Sequence, residues 1–217
     1  MQRYVFMECV EKIIAKQLLD IKAVILDSEN PFTWASGWKS PIYCDNRKIL
    51  SYPDARKIVA KNLARIVKEN YASADIIAGV ATGAIAWGLM VAELLDKPFA
   101  YVRPKPKDHG TKAQVEGVVP VGAKVVVIED LISTGSSSLS AVDALSVHGA
   151  EVLGMVAIFS YNFDKARKAF ENGNCELRTL TNYDYLIEEA VRSKYIDEAS
   201  LDTLRDWRFS PDKWGGE

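Results

Sequence analysis

The sequence predicts an α/β fold: a central, mainly parallel sheet flanked by helices, with a small N-terminal hood. Three observations carry this. Strand-like and helix-like segments alternate from Asp75 to Arg192, the pattern of parallel strands joined by crossover helices. Within that alternation, the run Val125-Val126-Val127-Ile128 leads into Glu129-Asp130, then into Leu131-Ile132-Ser133-Thr134-Gly135-Ser136-Ser137-Ser138. This order reads as a buried strand, a polar loop at its C-terminal end and a helix start. Ahead of the core, Asn30 to Pro41 is rich in turn formers and tryptophan and lies between two short strand-like runs. The chain divides into an N-terminal helix, hood and first flanking helix (1–70), an α/β core (71–195) and a C-terminal helix with its tail (196–217).

Each element has a local reason. Val5 to Leu19 places Val10, Ile13, Ile14 and Leu18 at amphipathic helical spacing. Ala23 to Leu26 and Ile42 to Asp45 read as short strands of a hairpin-bearing hood. Pro53, at a favoured first helical position, opens a helix to about Lys68 with Ile58, Val59, Leu63, Ile66 and Val67 inward. The core continues as strand 75–80, helix 84–95, strand 99–103, strand 124–129 and helix 137–148, the last stopped by Gly149. Strand 152–160, helix 163–172 and strand 176–180 follow. Thr181-x-x-Asp184 forms a capping-box pattern before helix 183–192. A last helix spans 199–207, and residues 210–217 read as loosely held.

Composition narrows the functional classes. The chain has 217 residues, 48% hydrophobic, enough for one compact core. A net charge of -2 provides no global basic field for nucleic acid. Cys9, Cys44 and Cys175 lie far apart without a C-x-x-C pair, so they read as buried or half-buried reduced thiols of a cytoplasmic protein. The N-terminus lacks the apolar stretch of a signal peptide, and no run approaches the roughly 18 apolar residues of a membrane span.

The chemistry-bearing segments follow from these placements. In open α/β sheets ligands sit at the C-terminal ends of strands. A turn of Thr134, Gly135, Ser136, Ser137 and Ser138 at a helix N-terminus offers backbone N–H groups, hydroxyls and a positive dipole end to a phosphate. Glu129 and Asp130 suit sugar hydroxyls or magnesium. The turn Gly79-Val80-Ala81-Thr82-Gly83-Ala84 lets a ligand approach the main chain, though a tight strand-to-helix turn explains the same residues. Tyr101 to Lys112 holds Arg103, Lys105, Lys107, His109 and Lys112 among two prolines and a glycine, a basic arm suited to a polyanionic leaving group. A solvated charge run is the plain alternative. His148, at a helix end, is favoured there by the dipole. Trp34 and Trp38 either pack the hood or stack on a planar ligand, while Trp207 and Trp214 read as packing residues.

Together these motifs resemble the type I phosphoribosyltransferases, whose acidic pair and small hydroxylated turn bind phosphoribosyl pyrophosphate (PRPP). It is neither a Walker loop, since no Gly-Lys-Ser/Thr follows, nor a G-x-G-x-x-G fingerprint. The basic arm Arg103, Lys105, Lys107, Asp108, His109 and Gly110, closed by Gly117, is similar to the catalytic loop of the orotate phosphoribosyltransferases. Ser36-Gly37-Trp38-Lys39-Ser40-Pro41-Ile42-Tyr43 resembles their pyrimidine-pocket segment. The likeness runs over nearly the whole chain.

The resemblance implies a type I phosphoribosyltransferase fold and transfer of the phosphoribosyl group from PRPP to orotate, giving orotidine 5′-monophosphate and pyrophosphate. It implies Mg2+ carried by PRPP, with Glu129 and Asp130 on the ribose hydroxyls or metal-bound water. Ser133, Thr134, Gly135, Ser136 and Ser137 would take the 5′-phosphate, and Thr82 and Gly83 the pyrophosphate. Arg103, Lys105, Lys107, Asp108 and His109 would cap the leaving group, from a loop shared between the subunits of a homodimer. The sequence departs from the family pattern at Ala35, Gly83 and Pro104, and along Ser160-Tyr161-Asn162-Phe163, where basic residues are common. The orotate carboxylate then falls to Lys39, Arg47, the N–H groups near Tyr43, or Tyr161. A PRPP-sensing regulator that binds nucleic acid and a purine phosphoribosyltransferase are the alternatives. The absence of a second basic cluster opposes the first, and the hood segment opposes the second.

Overall fold

The computed structural model describes residues 9–34, 36–105 and 114–214. Helix α1 (Val10–Asp20) precedes the hood, which consists of two nested antiparallel ribbons. The outer ribbon pairs β1 (Val24–Leu26) with β4 (Ile42–Cys44), and the inner pairs β2 (Phe32–Thr33) with β3 (Lys39–Ser40). A 3₁₀ turn, Asn46–Ser51, leads into α2 (Pro53–Asn70), which starts on Pro53 as expected.

The core is a six-stranded sheet. In chain order it contains β5 (Ile76–Val80), β6 (Phe99–Val102), β7 (Val115–Glu116), β8 (Lys124–Ile132), β9 (Glu151–Ser160) and β10 (Leu177–Asn182). In space the order is β10-β9-β8-β5-β6-β7, parallel except for β7. The helices between are α3 (Ile85–Leu95), α4 (Ser136–Val147) and α5 (Asp164–Asn172), followed by α6 (Tyr183–Arg192) and α7 (Ser200–Phe209).

Both faces of the sheet are covered, so the central strands are apolar throughout. Along β8, Val126 and Ile128 join one core with Leu18, Leu63 and Trp87, on the side of α1, α2 and α3. Val125 and Val127 join the other core with Ala141, Leu145 and Phe170, on the side of α4 and α5. This alternation holds from Val125 to Ile128 and reverses past the acids, where Leu131 packs on the first core and Ile132 on the second.

Several boundaries differ from the sequence reading. β8 runs to Ile132, not Glu129, because its pairing with β9 continues through Leu131–Phe159 and Ile132–Ser160. β10 runs to Asn182, and Asn182, not Thr181, caps α6: its side-chain oxygen accepts from the N–H groups of Asp184 and Tyr185. Thr181 is a buried strand residue. The tail is held as far as Trp214, whose N–H donates to the Ser210 carbonyl and whose ring packs on the core. Cys9 is exposed, while Cys44 is half-buried and Cys175 buried. No helix among the described residues is long and apolar enough to cross a membrane.

Candidate active site

The chain leaves β5 through α3 to reach β6 on one flank, while β8 pairs with the other flank of β5. The connection reverses between β5 and β8, and the crevice at their C-terminal ends is where such a sheet takes its ligand. Pairing of β8 with β5 ends at Ile128–Gly79, so β8 extends past its neighbour. The acidic pair lies on this overhang.

Because side chains alternate along a strand, Glu129 and Asp130 face opposite sides of the sheet. Glu129 is 5% exposed. Its Oε2 accepts from the Ser138 hydroxyl at 2.9 Å, and its Oε1 accepts from the Asp130 N–H at 2.9 Å. Burial, reinforced by the neighbouring Asp130 charge, pushes its carboxyl well above the usual carboxylate range. Glu129 thus ties the strand end to the first turn of α4. Asp130 turns the other way, toward the 81–84 turn. A side chain at Gly83 would run into it: an ideal Cβ there would lie 2.5 Å from Asp130 Cγ. Burial also raises the Asp130 carboxyl, opposed by Glu129 and by the charge of Arg47. The sequence reading placed both acids together at the ligand; the structure presents Asp130 to the crevice and engages Glu129 behind it.

The phosphate turn is built as the sequence required. Gly135 caps α4 in the left-handed region, at φ +83°, and supplies no side-chain cap. The first main-chain bond of the helix is from the Leu139 N–H to the Gly135 carbonyl, 2.9 Å. The amides of Ser136, Ser137 and Ser138 therefore have no partner among the described residues and stand ready for an anion. Thr134 and Ser136 hydroxyls lie 3.5 Å apart beside them, and Ser133 is partly exposed at the end of β8. Across the crevice, Thr82 follows a cis peptide with Ala81 and begins the turn into α3.

The hood closes one side. Asn46, 1% exposed, donates its side-chain amide to the Asp130 carbonyl at 2.6 Å. It takes the place that a strand partner would have occupied beyond Ile128. Asp45 accepts bidentate bonds from Arg47 at 2.7 and 3.1 Å, and that guanidinium holds its carboxyl below the usual range. Arg47 therefore reaches solvent already paired, close enough to act on Asp130. Tyr43 is 38% exposed, its ring 5.6 Å from Phe32. Lys39 is exposed and donates to the Thr33 hydroxyl at 2.9 Å.

Two expectations for the pyrimidine side change. Tyr161 is 2% exposed inside an aromatic cluster with Trp34, Phe163 and Trp207, which removes it from contact with a ligand. Trp34 packs rather than stacks on a ligand, its ring 5.0 Å from Tyr161 and its N–H donated to the Ile42 carbonyl. Asn46 was missed, because its bond to Asp130 joins residues far apart in the chain; Ser138 was read as part of the phosphate turn, and its bond to Glu129 was not foreseen.

At the base of the basic arm, Arg103 and Gln114 exchange bonds. The Arg103 N–H donates to the Gln114 carbonyl, and the Gln114 side chain donates to the Arg103 carbonyl at 3.0 Å. The Arg103 guanidinium lies 3.7 Å from Glu116, and Lys105 is exposed. Lys107, Asp108 and His109 lie outside the described residues. A groove of about 760 Å³ lies elsewhere, between α5 and the β9–β10 edge near Asn162, Arg167, Phe170 and Arg208, and is lined by none of the acidic pair, the phosphate turn or the base of the basic arm.

Comparison with known proteins agrees with this geometry. Residues 45–192 match the phosphoribosyl transferase domain. The orotate phosphoribosyltransferase of Porphyromonas gingivalis is 54% identical over 209 residues, 96% of this chain and all of the relative. That of Listeria innocua is 54% identical over 206 residues, 95% of this chain and 99% of the relative. Among solved structures, orotate phosphoribosyltransferase from Aeropyrum pernix superposes with a TM-score of 0.73 at 29% identity, covering 85% of this chain and 99% of its own. UMP synthase of Leishmania donovani gives 0.76 at 28% identity, covering 91% of this chain and 42% of its own. A reversed-connection crevice, an open helix end, an acid aimed across it and near-full-length likeness converge: the chain belongs to the orotate phosphoribosyltransferase family.

Proposed function

We propose that this protein transfers the 5-phosphoribosyl group of PRPP to orotate, releasing pyrophosphate and forming orotidine 5′-monophosphate for pyrimidine synthesis in the cytoplasm. The observation that carries the reading is the crevice between β5 and β8, where the open amides of α4 and the Asp130 carboxylate converge. The amides and hydroxyls of Thr134 to Ser137 take the 5′-phosphate, Asp130 takes the ribose hydroxyls, and the 81–84 turn takes the pyrophosphate. The bond from the anomeric carbon to the pyrophosphate oxygen breaks, its electron pair leaves with pyrophosphate, and the orotate nitrogen bonds to that carbon as its N–H proton passes to pyrophosphate or water. No covalent nucleophile is required. The protein holds the partners in line and meets the separating charges with fixed dipoles and cations.

The described residues contain no cluster of three acidic, His or Cys side chains able to cage a metal. That suits Mg2+, which is held by one or two carboxylates together with substrate phosphates. Asp130 would hold it through water, and the ion would neutralise charge on the departing pyrophosphate. Glu129 keeps β8 and α4 in register beneath it.

Arg103 and Lys105, with Lys107, Asp108 and His109, form the basic arm that covers the leaving group. In this reading two copies associate and exchange these arms. Leu89, 53% exposed, and Leu94, 48% exposed, lie on α3 among Lys57, Lys61 and Glu93, an apolar strip with charges of both signs suited to a second copy. The deciding experiment measures pyrophosphate release from PRPP with orotate, uracil, adenine and hypoxanthine side by side. Release with orotate alone is expected. Turnover confined to a purine, or PRPP binding without turnover of any base, overturns the proposal.

A further inference from the structure

We propose that Trp207, contributed by the C-terminal helix, is a positioning residue for the corner Lys39-Ser40-Pro41-Ile42 that presents Lys39 and Tyr43 to the pyrimidine. This rests on the orotate-side role given to that corner above. Two indoles hold it. The Trp207 N–H donates to the Lys39 carbonyl at 3.1 Å, across 168 residues of chain. The Trp34 N–H donates to the Ile42 carbonyl at 3.2 Å. Between them the Ser40 side chain, fully buried, donates to the same Ile42 carbonyl at 2.8 Å and accepts from the Ile42 N–H at 3.2 Å. Pro41 has no N–H to contribute; its carbonyl accepts from the Asp27 N–H at 2.8 Å. The corner's main chain is therefore fixed from both ends, while Lys39 and Tyr43 reach solvent.

Trp207 itself has no freedom to yield. It is fully buried, edge-on to Trp34 at 5.6 Å and in ring contact with Tyr161, Phe163 and Tyr183. The Tyr183 hydroxyl donates to the Leu204 carbonyl at 2.9 Å and locks α6 to α7. A helix beyond the matched domain region, 45–192, thus sets the place of residues that lie before it. PRPP-binding elements make none of these bonds. Loss of the indole N–H therefore acts on one substrate and spares the other.

Trp207→Phe keeps a ring in the cluster and removes the N–H. Orotate KM is expected to rise about five-fold, the scale of one buried hydrogen bond, with PRPP KM unchanged and the circular dichroism spectrum preserved. Lys39→Ala is measured in parallel. If Lys39→Ala raises orotate KM while Trp207→Phe moves neither constant, or both alike, the positioning role is overturned and the orotate-side reading stands. If Lys39→Ala leaves orotate KM unchanged, that reading fails and the proposal with it. Should Trp207→Phe not fold, Ser40→Ala loosens the same corner from inside: an orotate-selective rise supports the proposal, and equal or absent changes overturn it.

Discussion

Replacing Gly135 with alanine tests the phosphate cradle at its narrowest point. Gly135 sits at φ +83° and ψ -9°, where a Cβ crowds its own carbonyl. For an L-residue that conformation costs about 1–2 kcal/mol. The new Cβ would also meet the Phe170 ring, 3.0 Å from Cε2 and 3.3 Å from Cδ2. Phe170, on α5, is 4% exposed and belongs to the same core as Ala166 and Leu145, so the new contact falls on packed side chains. Adding a modest overpacking cost gives a loss of about 2–3 kcal/mol, or roughly 4–12 °C in Tm for a domain of this size. The assay is thermal unfolding with and without PRPP. The variant is expected to melt earlier and to gain less from PRPP, because tilting residue 135 misaims the amides of Ser136 and Ser137. A variant that melts with wild type and gains the same protection would refute the account of Gly135 as an obligatory left-handed cap.

The other expectations probe the acids and the exposed strip. Glu129→Gln preserves both contacts: the amide oxygen still accepts from the Asp130 N–H, and the amide nitrogen donates to the Ser138 hydroxyl, which donates to the native carboxylate. Burial raises the native Glu129 carboxyl above its ordinary 4.5, so wild type loses stability as pH climbs from about that value through the native one. The glutamine variant should therefore gain on wild type progressively above pH 4.5 in urea titrations; a gap independent of pH from 4 to 8 contradicts the buried-acid assignment. Asp130→Asn should raise PRPP KM and weaken its Mg2+ dependence with orotate KM little changed, and unaltered PRPP kinetics would remove Asp130 from the ribose site. Leu89→Asp, at an exposed position, should leave the monomer folded but abolish association in sedimentation, with activity falling alongside. Activity retained by a monomer would show that the basic arm serves its own crevice.

The core was legible because its strands are buried on both faces. Val125 to Ile128 and Met155 to Phe159 announce themselves by unbroken apolarity, and the glycine-and-serine turn after β8 by chemistry that few other settings require. The hood's inner ribbon was not: strands of two residues, Phe32–Thr33 and Lys39–Ser40, have no period to read. Thr181 and Asn182 are both able to cap a helix, and only the length of β10 decides between them. Asn46 and Trp207 depend on partners 84 and 168 residues away, beyond any local pattern.

The acidic pair is a different case, because the information was present and the strand was ended too soon. Had β8 been continued past Glu129, its period of two would have sent the adjacent carboxylates to opposite faces without any structure. The consequence is chemical. The two carboxyls make different contacts yet remain neighbours, and the Asp130 charge adds to burial in raising the Glu129 carboxyl. Glu129 is buried against α4, where the Ser138 hydroxyl meets it, and Asp130 meets the crevice with Arg47 near. A buried acid that grips the start of the phosphate-binding helix transmits any movement of that helix to the main chain of its neighbour through a single N–H. The order Glu-Asp, followed by a turn of small residues, therefore encodes more than two ligands for a sugar: it couples the phosphate cradle to the carboxylate that faces the ribose.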